Sequence, residues 1–361
     1  MLFSRLARLA PALAIAIAIA AIIVTACTGA AVVTRPPASS APASSAPASS
    51  APAASAPAAS AQAPAGSPVP GERLAFGVKA DGSSNIFSEL PDGSDRRQLT
   101  SGDGNHLCAT FSHDAKTIAY CADASGAFEI WTMAADGSNQ AQLTKLGGRA
   151  LFPDLSPDGS KVAFAGTEGN DPNTEVYVVD AATGADIKAL TSCAGGKAGC
   201  ANDYPAWSPD GKLIVFVHQD DIDAAENGIN QQVWVMNADG SHAHALTSGP
   251  DPKDQLPDWS PDGASIAYAS GKGDNEGIWV MAADGSNPHQ LSGCKVGDAT
   301  PCAAGSDVGP AWSPDGTRIA FMRDLSGTGE DDRPIFVMRA DGQDQHRVSP
   351  DVMLAAVPAW R

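Results

Sequence analysis

Histidine and cysteine are the side chains here best able to ligate a metal or act as nucleophiles, and the chain holds seven of each. Neither set has the spacing that such chemistry needs. No CxxC pair occurs, and His106, His113, His218 and His242 form no HExxH or similar ligand pattern. There is no GxSxG nucleophile elbow. His244, His289 and His346 each stand five residues after a turn aspartate, Asp239, Asp284 and Asp341. That is a repeat position on separate units, not a convergent triad. The segment DDIDAAENG, which carries Asp220, Asp221, Asp223 and Glu226, has alanine where the third ligand of a calcium loop belongs. These residues predict no catalytic centre, no metal site and no cofactor.

The histidines recur because the chain recurs. YPAWSPDG (204–211), LPDWSPDG (256–263) and GPAWSPDG (309–316) are clear copies of one phrase, with FPDLSPDG (152–159) and CATFSHDA (108–115) as weaker forms. A short apolar run follows each, such as IAY at Ile118, IVF at Ile214 or IAF at Ile319, with the β-branched and aromatic character of a buried strand. A third run opens with a pair such as Ile130-Trp131, Val176-Tyr177 or Val233-Trp234 and ends at a turn such as ADGSN. A fourth, short run closes with LT, LS or VS. Each unit therefore reads as four antiparallel strands, A to D, joined by turns in which Asp or Asn bonds the backbone and Gly takes positive φ.

The first unit has no strand A. RLAF, NIF and RRQLT, beginning at Arg73, Asn85 and Arg96, supply B, C and D, and the missing phrase stands at the other end as Val357-Pro358-Ala359-Trp360. A split unit lets the first and last segments pair and leaves no free edge. The prediction is an all-β, six-bladed β-propeller of four-stranded antiparallel blades over residues 73–361, its first blade completed by the C-terminal strand. All seven tryptophans fall on strand A or strand C positions, where they fill space between blades.

The spelling resembles the TolB-type propeller repeat, a relative of WD repeats, in which PxWSPDG, IAF, IWVMNADG and LT recur in each blade. The resemblance covers the chain after Arg73. It implies the blade type. TolB itself carries an α/β domain before the propeller, which residues 1–72 have no composition to form, so TolB's function does not carry over. Relatives of these blades accompany prolyl-oligopeptidase-type hydrolases and form oligogalacturonate lyases, which makes an enzyme acting on glycan or peptide at the channel mouth the rival reading.

The first seventy residues read as an address and a tether. Arg5 and Arg8 precede an apolar run over 9–24, then Val24-Thr25-Ala26-Cys27, which resembles the lipobox of a bacterial lipoprotein. The run is shorter than the roughly 20 residues that a spanning helix needs. Residues 1–26 are thus expected to be a cleaved signal peptide and Cys27 the lipidated first residue. Residues 27–72 are an Ala/Pro/Ser-rich linker with no large apolar residue beyond its first few positions, expected to be disordered. Fully stretched, such a linker reaches about 100 Å.

An exported chain favours disulfides. Cys193 with Cys200 and Cys294 with Cys302 can each staple one connection between blades, and Cys108 faces Cys121 if Phe111 pairs with Ile118. All 41 acidic residues lie after Pro70, whereas Arg5, Arg8 and Arg35 take three of the 23 basic ones, so the propeller carries a formal charge of −21. That excludes nucleic acid as a natural partner. In such a blade the A–B and C–D turns share one face of the disc and the B–C and D–A connections the other. The second set is long and varied, at 166–175, 218–231 and 323–333 and at the two cysteine-paired segments. Long loops on a rigid scaffold are where binding concentrates. The expected site is therefore that face, with Asp171, Glu175, Asp203, Tyr204, Asp220, Asp221, Asp223 and Glu226 meeting a protein or peptide partner. Asp154 and Asp258, beside the strand A aromatic, are expected either to line the channel or to bond a local amide. The whole reads as a monomeric binding or scaffolding lipoprotein held outside the cytoplasm, touching the membrane through its lipid alone.

Overall fold

The computed structural model describes residues 71–80, 82–193, 200–219, 230–249, 253–271, 277–293, 306–325, 333–349 and 357–361. The expected signal peptide, Cys27 and almost all of the linker lie outside them, as do Cys294, Cys302, Asp220, Asp221, Asp223 and Glu226. Among the described residues there is no helix, and none therefore that is long and apolar enough to cross a membrane.

Twenty-four strands form six four-stranded antiparallel sheets. Blade one takes Leu74–Ala80, Ser83–Glu89 and Arg97–Gln98, with Ala359–Trp360 as its innermost strand. Blades two to six follow in sequence, with innermost strands His106–Phe111, Gly147–Leu155, Ala201–Trp207, Asp254–Trp259 and Asp307–Trp312. The ring closes by Leu74 opposite Trp360 and Ala75 opposite Ala359. Arg361 N donates to Arg73 O at 3.0 Å, and Arg73 N returns a bond to Arg361 O. Behind this strand Arg318, in blade six, binds both oxygens of Glu72 at 2.9 Å and lies 4.8 Å above the Trp360 ring. Two segments at opposite ends of the sequence are thus joined by backbone, ion pair and stacking.

The recurring words of the sequence each have a mechanical job. In the LT, LS or VS phrase the hydroxyl of Thr100, Thr144, Thr191, Thr247, Ser292 or Ser349 accepts the amide of the aliphatic residue that opens the pair on the blade's third strand, Ile86, Ile130, Val176, Val233, Ile278 or Ile335, at 2.8–3.2 Å. That lets each outermost strand stop after two residues and leaves little edge for another chain to pair with. In the SPDG turn the aspartate accepts from the preceding serine hydroxyl and from an amide two residues on, as Asp158 does from Ser156 at 2.6 Å and Ser160 N at 2.9 Å. The glycine of the C–D turn sets how closely neighbouring blades approach. A Cβ on Gly137, Gly240 or Gly285 would lie 2.6–2.7 Å from the carbonyl of Leu99, Leu190 or Leu246 in the blade before. Gly93 meets Val348 of blade six in the same way. Between blades the core is apolar and shared: Ala75, Ile86 and Leu99 of blade one pack with Phe111, Ile118, Tyr120 and Met133 of blade two.

One detail departs from the sequence expectation. Phe111 does pair with Ile118, but a bulge between Leu107 and Thr110 shifts the register so that Cys121 faces Leu107. Cys108 sits inside the bulge, and its disulfide to Cys121 spans 5.6 Å between Cα atoms. Cys193 and Cys200 are also disulfide-bonded, with their Cα atoms 5.8 Å apart.

Candidate functional site

The bulge is the device that builds the axis. The same register shift occurs at Leu151/Asp154, Asp203/Ala206, Gln255/Asp258 and Val308/Ala311. In each case the chain passes through a left-handed residue: Cys108 (φ 55°), Phe152 (52°), Tyr204 (54°), Leu256 (53°) and Gly309 (63°). In blades three to six proline follows, as Pro153, Pro205, Pro257 and Pro310. A bulge leaves one amide without a ladder partner, and proline has no amide to leave. For a non-glycine residue the left-handed turn costs about 1–2 kcal/mol, repeated around the ring. What it achieves is to bring Phe152, Tyr204 and Leu256 to a central cavity of about 130 Å³ that Asp154 and Asp258 also line.

Asp154 and Asp258 face the axis and also hold blades together. Asp154 Oδ2 accepts Trp207 N of the next blade at 2.7 Å, and its Oδ1 accepts Thr110 Oγ1 of the previous blade at 3.3 Å. Asp258 Oδ2 accepts Trp312 N at 2.8 Å. For Asp154 the amide served is that of the neighbouring blade, whereas Asp258 is held both by that of the next blade and by the local amide of Trp259. Burial pushes both carboxyls up to about 6, against the opposing pull of those amide bonds and of the Arg361 guanidinium; for Asp154 the charge of Asp258 adds to the rise.

Of the partner-binding residues singled out in the sequence, Tyr204 reaches this axis, while Asp203 stands just before the bulge, opposite Val217. Burial raises Asp203 to about 6, offset by Arg149. Burial first, then the charge of Asp203, raises the Tyr204 phenol. Its ring lies 4.2 Å from that of Phe152. Glu175 has a different task. Its Oε2 accepts Thr191 Oγ1 at 2.5 Å and Asn202 Nδ2 at 2.9 Å, and its Oε1 accepts Cys193 N at 2.6 Å. It pins the stapled connection into blade four. Asp171 is exposed and accepts Asn173 N at 2.9 Å in its own loop. His244, His289 and His346 are exposed on separate outermost strands. No group of three or more His, Cys, Asp or Glu among the described residues is arranged to hold a metal. Phe152, Leu256 and Arg361 were not legible as axis residues; for Phe152 and Leu256 the hint was the proline that follows each of them, Pro153 and Pro257.

The axis, bulges and ring closure define a six-bladed β-propeller of the SPDG-repeat class. A family model for the TolB beta propeller domain matches residues 48–224 and, overlapping, 127–304, and the chain belongs to that family. TolB from Acinetobacter baumannii superposes with a TM-score of 0.63 at 20% identity, over 80% of this chain and 66% of that one. Oligogalacturonate lyase from Vibrio parahaemolyticus gives 0.52 at 14% identity, over 77% and 74%. Both share the fold. Among curated proteins, a 62-residue stretch is 40% identical to the "uncharacterized peptidase YuxL" of Bacillus subtilis (strain 168); the chain spans 8% of that protein's length.

Proposed function

We propose that this chain is a lipoprotein of the bacterial envelope, lipidated at Cys27 after removal of residues 1–26 and tethered by residues 27–72, whose propeller binds a protein or peptide partner on its long-loop face. The observation that carries the reading is the asymmetry of the disc. One face is paved with tight turns, most of them SPDG or ADGS, with SHDA in blade two and DAATG in blade three, each closed by its own aspartate. The other carries the varied connections, one of them stapled by Cys193–Cys200 and pinned by Glu175. Ordering a loop before the partner arrives lowers the entropy lost on binding. A disulfide-bearing propeller of the TolB family also suits an extracytoplasmic compartment.

The test has two arms. Incorporation of labelled palmitate into the full chain, lost in Cys27→Ala, reads the anchor. Affinity capture from native envelope extract, comparing the full chain with a variant whose 218–231 connection is replaced by a short turn, reads the face. A partner retained by the intact chain alone, and rebinding it as a purified protein, supports the reading. Equal recovery by both forms moves the site elsewhere. Turnover of a glycan or peptide by the purified chain would replace this reading with an enzymatic one.

A further inference from the structure

The central cavity has a charge pattern that partner binding on the loop face does not require. Asp154, Asp258 and Arg361 line the same small space and act on one another electrostatically, yet the guanidinium forms no ion pair with either carboxylate. The Arg361 Nη1 donates to Trp360 O at 3.1 Å, while its Nε is buried without a partner. Asp154 Oδ1 has only the 3.3 Å bond from Thr110. In the same lining the Tyr204 hydroxyl is bonded to nothing among the described residues, and the Phe152 and Tyr204 rings lie against each other. Groups of both signs, the guanidinium with a buried Nε left unbonded, thus converge on a space lined by four left-handed non-glycine residues.

Neither a simple cation nor a simple anion answers this pattern. A lone ammonium would satisfy the carboxylates but would face Arg361. A lone carboxylate would pair with Arg361 but would add a third negative group to two that burial already disfavours. A ligand with both charges on neighbouring atoms satisfies all three. The volume of about 130 Å³ equals roughly four waters of bulk liquid. A molecule of about five to eight heavy atoms fits within it, whereas an aromatic amino acid would project beyond it.

We propose that the axial cavity is a binding site for a small zwitterion of the α-amino acid class, its ammonium held by Asp154 and Asp258 and its carboxylate by Arg361, with Tyr204 donating or accepting at the rim. The site is independent of the loop-face partner.

The experiment is calorimetric titration and thermal unfolding of the full chain with glycine, alanine and proline, alongside acetate, methylammonium and phenylalanine as single-charge and oversize probes. The expected result is saturable binding of at least one of the small zwitterions and of none of the three controls. Affinity should fall at least about tenfold, the worth of one charge-assisted bond, in Asp154→Asn/Asp258→Asn and again in Arg361→Gln. The asparagines keep an acceptor for Trp207 N and Trp312 N, and glutamine at 361 keeps the backbone bonds to Arg73, so these variants fold. Three results overturn the proposal: no saturation by any zwitterion up to about 50 mM, far weaker than a built site should show; equal binding of methylammonium or acetate; or unchanged affinity in both variants.

Discussion

Glu89 occupies the position that the other five blades give to Met133, Val179, Met236, Met281 and Met338, as the strand registers show. All six side chains are buried, and Glu89 is 0% exposed with neither carboxyl oxygen hydrogen-bonded. Burial pushes it from 4.5 up to about 7, opposed by Arg96 and Arg73 and slightly aided by Asp92. A carboxyl whose folded value is raised costs nothing below about pH 4.5, where it is protonated in both states. The cost grows between pH 4.5 and 7 and is constant above. A rise of that size is worth at most about 3 kcal/mol, which relaxation of the surroundings reduces to about 2 kcal/mol. Glu89→Met removes this cost and adds about 1 kcal/mol of apolar burial. The variant should therefore gain about 3 kcal/mol over wild type at pH 8 but only about 1 kcal/mol at pH 4.5, or roughly 6 °C against 2 °C in Tm. Thermal unfolding at the two pH values reads both numbers, with Glu89→Gln as the neutral isostere that should flatten the pH dependence without the full gain. Because the other raised carboxyls titrate alike in both proteins, the difference isolates Glu89. An equal gain at both pH values, or a loss at pH 8, would refute the reasoning.

Gly240→Ala places a Cβ 2.6 Å from Leu190 O at a φ of +91°, so a loss of about 2 kcal/mol or more is expected by chemical denaturation; an unchanged midpoint would mean that the blades can part freely there. Arg318→Ala strips the guanidinium from Glu72, which is 4% exposed, and from the Trp360 face. The expected cost is about 3 kcal/mol, seen as faster unfolding with early exchange of the Leu74 and Trp360 amides. Asp154→Asn keeps the acceptor for Trp207 N and should match or exceed wild-type stability above pH 6, where the wild-type carboxyl must ionise in a buried place. Asp154→Ala orphans that amide and should lose about 2 kcal/mol at every pH.

The architecture was readable because each blade repeats one set of local instructions. The SPDG turn, the aliphatic-aromatic pair and the LT close each dictate a turn, a strand or an end, and the split unit dictates closure. Less readable was anything that depends on an inserted residue. The pairing of Phe111 with Ile118 gave no sign of the bulge that moves Cys121 opposite Leu107, since a bulge alters the register without altering composition. The same bulge hid the axis, because which of Phe152, Asp154 or Tyr204 faces inward turns on that extra residue. Glu175 looked like a loop acid free for a partner, and only the fold shows it spent on Thr191, Cys193 and Asn202. Arg361 could not be placed from sequence, as it stands where the other blades have the serine of SPDG.

The central claim is that a protein or peptide partner engages the long-loop face. Hydrogen–deuterium exchange of the full chain, with and without the captured partner, tests it most directly. The account predicts protection at 166–175, 190–203 and 218–231, with the SPDG turns unchanged. Protection confined to the SPDG and ADGSN turns would place the interface on the opposite face and contradict it.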